Sequence, residues 1–62
     1  MREIGNTIRA RRNALNITQQ ELASLAGVGI NTLVAIERGV ANPSYATLVS
    51  ILDVLGLKLS VG

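Results

Sequence analysis

Sixty-two residues allow one small domain; 48% of them are apolar, nearly all aliphatic, with Tyr45 the single aromatic. The chain contains no Cys and no His, which excludes disulfide staples and nearly all zinc chemistry, and no apolar run approaches the roughly 20 residues a membrane span needs. The net charge is +2, with Arg2, Arg9, Arg11 and Arg12 crowded near the start, a balance that permits an acidic partner without requiring one.

Residues 3–15 carry Ile4, Ile8 and Leu15 among Arg and Asn, the spacing of an amphipathic helix, and Asn16-Ile17 breaks the pattern. Thr18-Gln19-Gln20-Glu21 reads as a capping box, in which the Thr18 hydroxyl accepts from the amide of residue 21 and Glu21 reaches back to the amide of Thr18. Leu22, Leu25 and Ala26 follow on one expected face. Gly27 then ends the helix, because glycine enters the left-handed region at little steric cost. A third helix is expected over residues 29–37, with Leu33 and Ile36 inward and Gly39 just past its end. Asn42-Pro43-Ser44 reads as a turn followed by an N-cap. The fourth helix, residues 45–55, would bury Leu48, Ile51, Leu52 and Leu55 and stop at Gly56. Leu57, Lys58, Leu59, Ser60 and Val61 alternate apolar and polar, which is strand periodicity. The expected division is residues 1–56 as the helical domain and residues 57–62 as a tail that pairs subunits.

Two short helices joined by a three-residue turn make a helix-turn-helix unit. Ala23 is small where the helices cross, and Val28, Leu33 and Ile36 would lock the crossing. With TQQELA, AGV, IERG and NPS in that order, and LGL at residues 55–57, the stretch from residue 8 to residue 56 resembles the Cro/repressor-type helix-turn-helix family, also called the XRE family. The resemblance implies an all-α fold: a four-helix lambda-repressor-like domain, here with a short C-terminal strand. It also implies that Arg12 of the first helix pairs with Glu37 near the end of the third.

The same resemblance implies double-stranded DNA as partner. The second helix would point its N-terminus at the phosphate backbone, with Thr18 and Gln19 in contact, because free amides and the helix dipole favour an anion there. Arg38, Asn42 and Ser44 would follow the backbone from the loop after the third helix, with Arg9 and Arg11 adding positive field. These groups position the protein without reading sequence. The third helix would lie in the major groove and present Ile30, Asn31, Thr32, Val34 and Ala35 to the bases. Asn31 can pair with adenine N6 and N7, whereas the aliphatic residues can meet only thymine methyls. The family's usual Ser, Arg, Gln or Lys is missing from several of these places. The expectation is therefore a lean toward A·T pairs, with affinity set by phosphates and steep in salt.

Such domains work as dimers on two-fold sites, and Leu57, Leu59 and Val61 could form a two-stranded ribbon with a second copy. A fourth helix followed directly by a short strand also resembles the HipB-type antitoxins, which implies a HipA-like kinase toxin as a further partner. Two readings stay open at this point. One is a dimeric repressor on a palindromic operator; the other is a protein-interaction module with weakened base readout, using the apolar ridge of Ile30 and Val34. An enzyme is not expected: Glu3, Glu21, Glu37 and Asp53 are scattered, Gly27-x-Gly29 is a turn rather than a phosphate loop, and no cofactor or metal is implied. The expected setting is cytoplasmic, bacterial or phage-encoded, and close to the nucleoid.

Overall fold

The computed structural model describes residues 2–57. All regular structure among them is helical: α1 (Arg2–Ala14), α2 (Gln19–Ala26), α3 (Ile30–Glu37) and α4 (Tyr45–Val54). Helix α3 packs against both α1 and α2, and α4 packs against α2. Ile8 of α1, Leu22 and Ala23 of α2, Leu33 and Ile36 of α3, and Leu48, Ile51, Leu52 and Leu55 of α4 and its end form the core. Each fully buried aliphatic side chain stabilises the fold by roughly 1.5–3 kcal/mol relative to exposure.

All four helices stop in the same way. A residue with left-handed backbone follows the last turn: Asn16 (φ 57°), Gly27 (71°), Gly39 (76°) and Gly56 (71°). The amide of the next residue then reaches back to a carbonyl five positions earlier: Ile17 to Arg12 (3.0 Å), Val28 to Ala23 (2.9 Å), Val40 to Ala35 (3.0 Å) and Leu57 to Leu52 (2.8 Å). This is the Schellman closure, and an apolar residue after the left-handed position commonly accompanies it. Ile17, Val28 and Leu57 pack on the core, while Val40 stays 68% exposed. Asn16 serves in place of glycine at the end of α1, since Asn tolerates this region better than most residues do.

Two expected inner faces differ from those observed. On α1 the inward positions are Ile4, Gly5, Ile8 and Arg12; the helix ends before Leu15, which is 41% exposed, and Ile17 supplies the apolar contact from the turn instead. On α2 the inner face is Leu22, Ala23 and Ala26, whereas Leu25 is 66% exposed. Two residues of helix rotate a side chain by about 200°, so Leu25 lies opposite Ala23. Leu57 belongs to the helical unit through the hydrogen bond its amide donates to the Leu52 carbonyl and through its contact with the core. Of the strand expected over residues 57–61 only Leu57 is described, and it has no regular structure; Lys58, Leu59, Ser60 and Val61 lie outside the described residues.

Gly5 brings α1 down onto the end of α3. A Cβ at this position would collide with the Ile36 carbonyl oxygen and lie 2.8 Å from that of Glu37. Inside an ordinary helix, Gly→Ala is stabilising by up to about 1 kcal/mol. At Gly5 the sign should reverse, with a loss of about 1–3 kcal/mol from overpacking. Thermal unfolding of Gly5→Ala checks this; a melting temperature at or above that of the wild type would contradict the close approach.

Candidate nucleic-acid interface

The candidate interface comprises the start of α2 and the outward side of α3. At the start of α2, Thr18 has extended backbone (φ −76°, ψ 163°). Its hydroxyl accepts from the Glu21 amide at 3.1 Å, and its own amide donates to Glu21 Oε1 at 2.9 Å. The capping box thus uses the Thr18 hydroxyl internally. What remains open is the pair of backbone amides at Gln19 and Gln20, the first two helical positions, which have no carbonyl partner within a helix. The Thr18 amide first, and then the Thr18 hydroxyl beside the carboxylate, hold the Glu21 carboxyl below its ordinary range.

The turn Gly27-Val28-Gly29 then redirects the chain into α3. Gly29 is the N-cap of α3 and supplies no side-chain bond, so the first amides of this helix are also left open. Ile30, Asn31 and Thr32 are exposed along the first turn, with Ile30 only at 36%. Val34 and Ala35 are half-buried, a departure from their expected outward position. Val34 adjoins core-facing Leu33, and at Ala35 the chain folds back, with the Val40 amide on the Ala35 carbonyl. The outward surface of α3 is therefore concentrated in its first turn. Beyond the helix, Arg38 and Asn42 are exposed. Ser44 caps α4: its Oγ accepts from the Thr47 amide at 3.2 Å and donates to Thr47 Oγ1 at 3.0 Å.

Glu37 lies at the junction of three helices. Its side chain is fully enclosed. Arg12 of α1 donates through Nε to Oε2 at 2.8 Å and through Nη2 to Oε1 at 3.1 Å, while Arg12 Nη1 donates to the Ile17 carbonyl at 2.9 Å. Gln19 of α2 donates its side-chain amide to Oε1 at 3.1 Å. Arg9 approaches the same oxygen at 3.8 Å and donates to the Glu37 carbonyl at 3.3 Å. Arg11 donates to the Leu55 carbonyl at 3.0 Å. Arg9 and Arg11 thus clamp the C-terminal carbonyls of α3 and α4, where a cation is favoured by the helix dipole. Arg38 is exposed and makes no hydrogen bond or ion pair among the described residues.

Besides Arg38 and Asn42, the family resemblance implied five groups for phosphate: Thr18, Gln19, Arg9, Arg11 and Ser44. In the free protein all five side chains already have internal partners. Gln19 retains a second N–H, and Arg9, 47% exposed, retains further donors. Three contacts had no signal in residue order: the close approach at Gly5, the Gln19–Glu37 bond and the Arg11–Leu55 bond.

Residues 8–61 match the family model described as helix-turn-helix. The chain belongs to the helix-turn-helix family, in its Cro/repressor (XRE) branch. It is 32% identical over 59 residues to an uncharacterized HTH-type transcriptional regulator of Sinorhizobium fredii, covering 95% of this chain and 78% of that one. It is 40% identical over 50 residues to an uncharacterized HTH-type transcriptional regulator of Haemophilus influenzae, covering 81% and 51%. It is 37% identical over 57 residues to the immunity repressor protein of Bacillus phage phi105, covering 92% and 40%. The chain therefore spans about half or less of the length of the last two.

Two stability effects follow from this geometry. Removing one partner of an enclosed ion pair costs on the order of 3–5 kcal/mol, and a chain of this length has roughly 3–9 kcal/mol in all. Glu37→Ala should accordingly be largely unfolded at temperatures where Glu3→Ala melts like the wild type, as read by circular dichroism. The second effect concerns Glu21. Its lowered pKa means that the capping box stabilises the fold above the usual carboxylate range and loses that contribution as pH falls through the folded value. The stability difference between the wild type and Glu21→Gln should be constant near neutrality and shrink in acid; a pH-independent difference would contradict the assignment.

Proposed function

We propose that this chain is the DNA-binding unit of a transcriptional repressor that binds duplex as a homodimer across a palindromic operator. The observation that carries the reading is the pairing of open backbone amides at the start of α2 with the exposed first turn of α3; Arg38, exposed at the C-cap of α3, adds a cation. The first can take a phosphate oxygen, and the second is narrow enough for a major groove. The phage relative named an immunity repressor supports the regulatory role. Asn31 reads adenine, and Ile30 meets a thymine methyl. With Val34 and Ala35 half-buried, base contact is confined to Ile30, Asn31 and Thr32, and the preference is for A·T pairs. Residues 57–61 remain the proposed pairing element between subunits, with Leu59 and Val61 as its apolar members. Half-sites would then lie about 34 Å, one helical turn, apart.

A second reading has its own support. Leu25 and Val40 are 66% and 68% exposed, and Arg9, Arg11 and Arg12 are all engaged with protein atoms. A domain with these features suits a protein partner, such as a HipA-like toxin bound by a HipB-like antitoxin, while still repressing its own operon. Selection of bound sequences from a random duplex pool separates the two. An A/T-rich palindrome is the outcome expected of the repressor; no enrichment at low salt sinks it and favours the partner-binding reading.

The salt dependence is specific enough to measure. Each Lys or Arg that neutralises a phosphate adds about 0.9 to the slope of log K against log salt. Arg38→Ala should reduce that slope by about 1 per subunit and weaken binding to all sequences alike. An unchanged slope would show that Arg38 does not face the duplex.

A further inference from the structure

The bond between Gln19 and Glu37 constrains more than the packing of α2 on α3. The enclosed carboxylate of Glu37 only accepts hydrogen bonds, so of the two flip states of the Gln19 amide it selects the one with nitrogen inward. That contact is 3.1 Å long, and Arg12 secures the carboxylate from the α1 side at 2.8 and 3.1 Å. Gln19 itself is half-buried. Among the described residues no buried side-chain polar atom lacks a partner, and Gln19 Oε1 makes no hydrogen bond, so this oxygen lies on the accessible side. The amide is planar, and its second N–H diverges from the one that Glu37 holds.

We propose that Glu37 is a positioning residue for duplex binding. It fixes the Gln19 amide with one N–H inward and leaves the second, beside the open backbone amides of Gln19 and Gln20, for a phosphate oxygen. This rests on the reading of α2 as the phosphate-facing helix. Glu37 touches no DNA in this scheme; it acts on one phosphate through Gln19. Arg12, which holds the carboxylate but makes no bond to Gln19, acts on stability instead.

The test uses the full chain labelled with ¹⁵N, an alternating d(AT) duplex at low salt, and the side-chain amide protons of Gln19. In the free protein, one of the two protons should be protected from solvent exchange. On addition of duplex, the other should shift together with the backbone amides of Gln19 and Gln20. Gln19→Ala, which leaves the Arg12–Glu37 pair intact, should bind the duplex about tenfold more weakly, the loss of one hydrogen bond to a charged acceptor. Glu37→Gln can turn an N–H toward Gln19 and release the flip state, so its protection should vanish and its affinity should fall by a similar factor. Combining it with Gln19→Ala should weaken binding no further. Arg12→Lys should melt earlier yet keep the protected proton. Where Glu37→Gln does not fold, the wild-type protons and Gln19→Ala still decide the question. If duplex moves the backbone amides but neither side-chain proton, or if Gln19→Ala binds like the wild type, the positioning role is overturned while the phosphate-facing role of α2 survives. If duplex moves no α2 resonance, both are overturned.

Discussion

A single enclosed carboxylate ties three of the four helices together. Glu37 ends α3, takes two hydrogen bonds from Arg12 of α1 and one from Gln19 of α2, and is 1% exposed. Burying a carboxylate is expensive unless its acceptor sites are filled by donors. Here the donors come from different helices, so the carboxylate is satisfied in only one arrangement of α1, α2 and α3. An apolar residue could fill the same volume with comparable or greater stability, but it would carry no acceptors for donors from α1 and α2 to meet. The apolar residues fill space around this junction; the ionic contact fixes how the three helices meet.

The same junction changes the meaning of the basic N-terminal third. A crowd of arginines invites a picture of positive charge waiting for an anion. The described side chains instead divide the work: Arg12 satisfies a carboxylate and a turn carbonyl, Arg9 a carbonyl at the end of α3, and Arg11 one at the end of α4. Helix ends carry carbonyls without intrahelical partners, and in a domain this small few other groups are within reach to satisfy them. Charge that closes the fold is only partly available to a ligand. In the proposed complex the duplex must rely more on backbone amides and neutral side chains than the composition suggests.

The helices themselves were legible in the sequence because their ends are written locally. T-x-x-E, Ser44 after Pro43, and glycines at the ends of α2, α3 and α4 specify caps within four or five residues of chain. The stop of α1 was marked as well, although Asn16 stands where the other three helices have glycine. Leu25 was misjudged because a helix of 8 residues offers barely two turns from which to fix a face, and Leu15 because α1 stops at Ala14, before its periodicity can carry Leu15 inward. Gly5 was invisible because its role is set by α3, more than 30 positions away, and nothing nearby in the chain signals it. For the candidate site, the family resemblance could nominate groups for phosphate, but residue order could not show that Gln19, Arg9 and Arg11 have internal partners.

Helix α3 is the element whose existence owes most to its surroundings. Ile30, Thr32, Val34 and Ile36 are β-branched, a class with below-average helix propensity, and Gly29 offers no capping side chain. A segment of 8 residues with this composition would not hold a helix alone in water. It is helical here because Leu33 and Ile36 are buried, because Gly5 lets α1 close over its end, and because Glu37 fastens its last turn. Stability thus enters α3 from the C-terminal side, while its first turn is left uncapped and outward. A helix anchored in this way can leave its N-terminal amides and the exposed Asn31 and Thr32 side chains free for a partner.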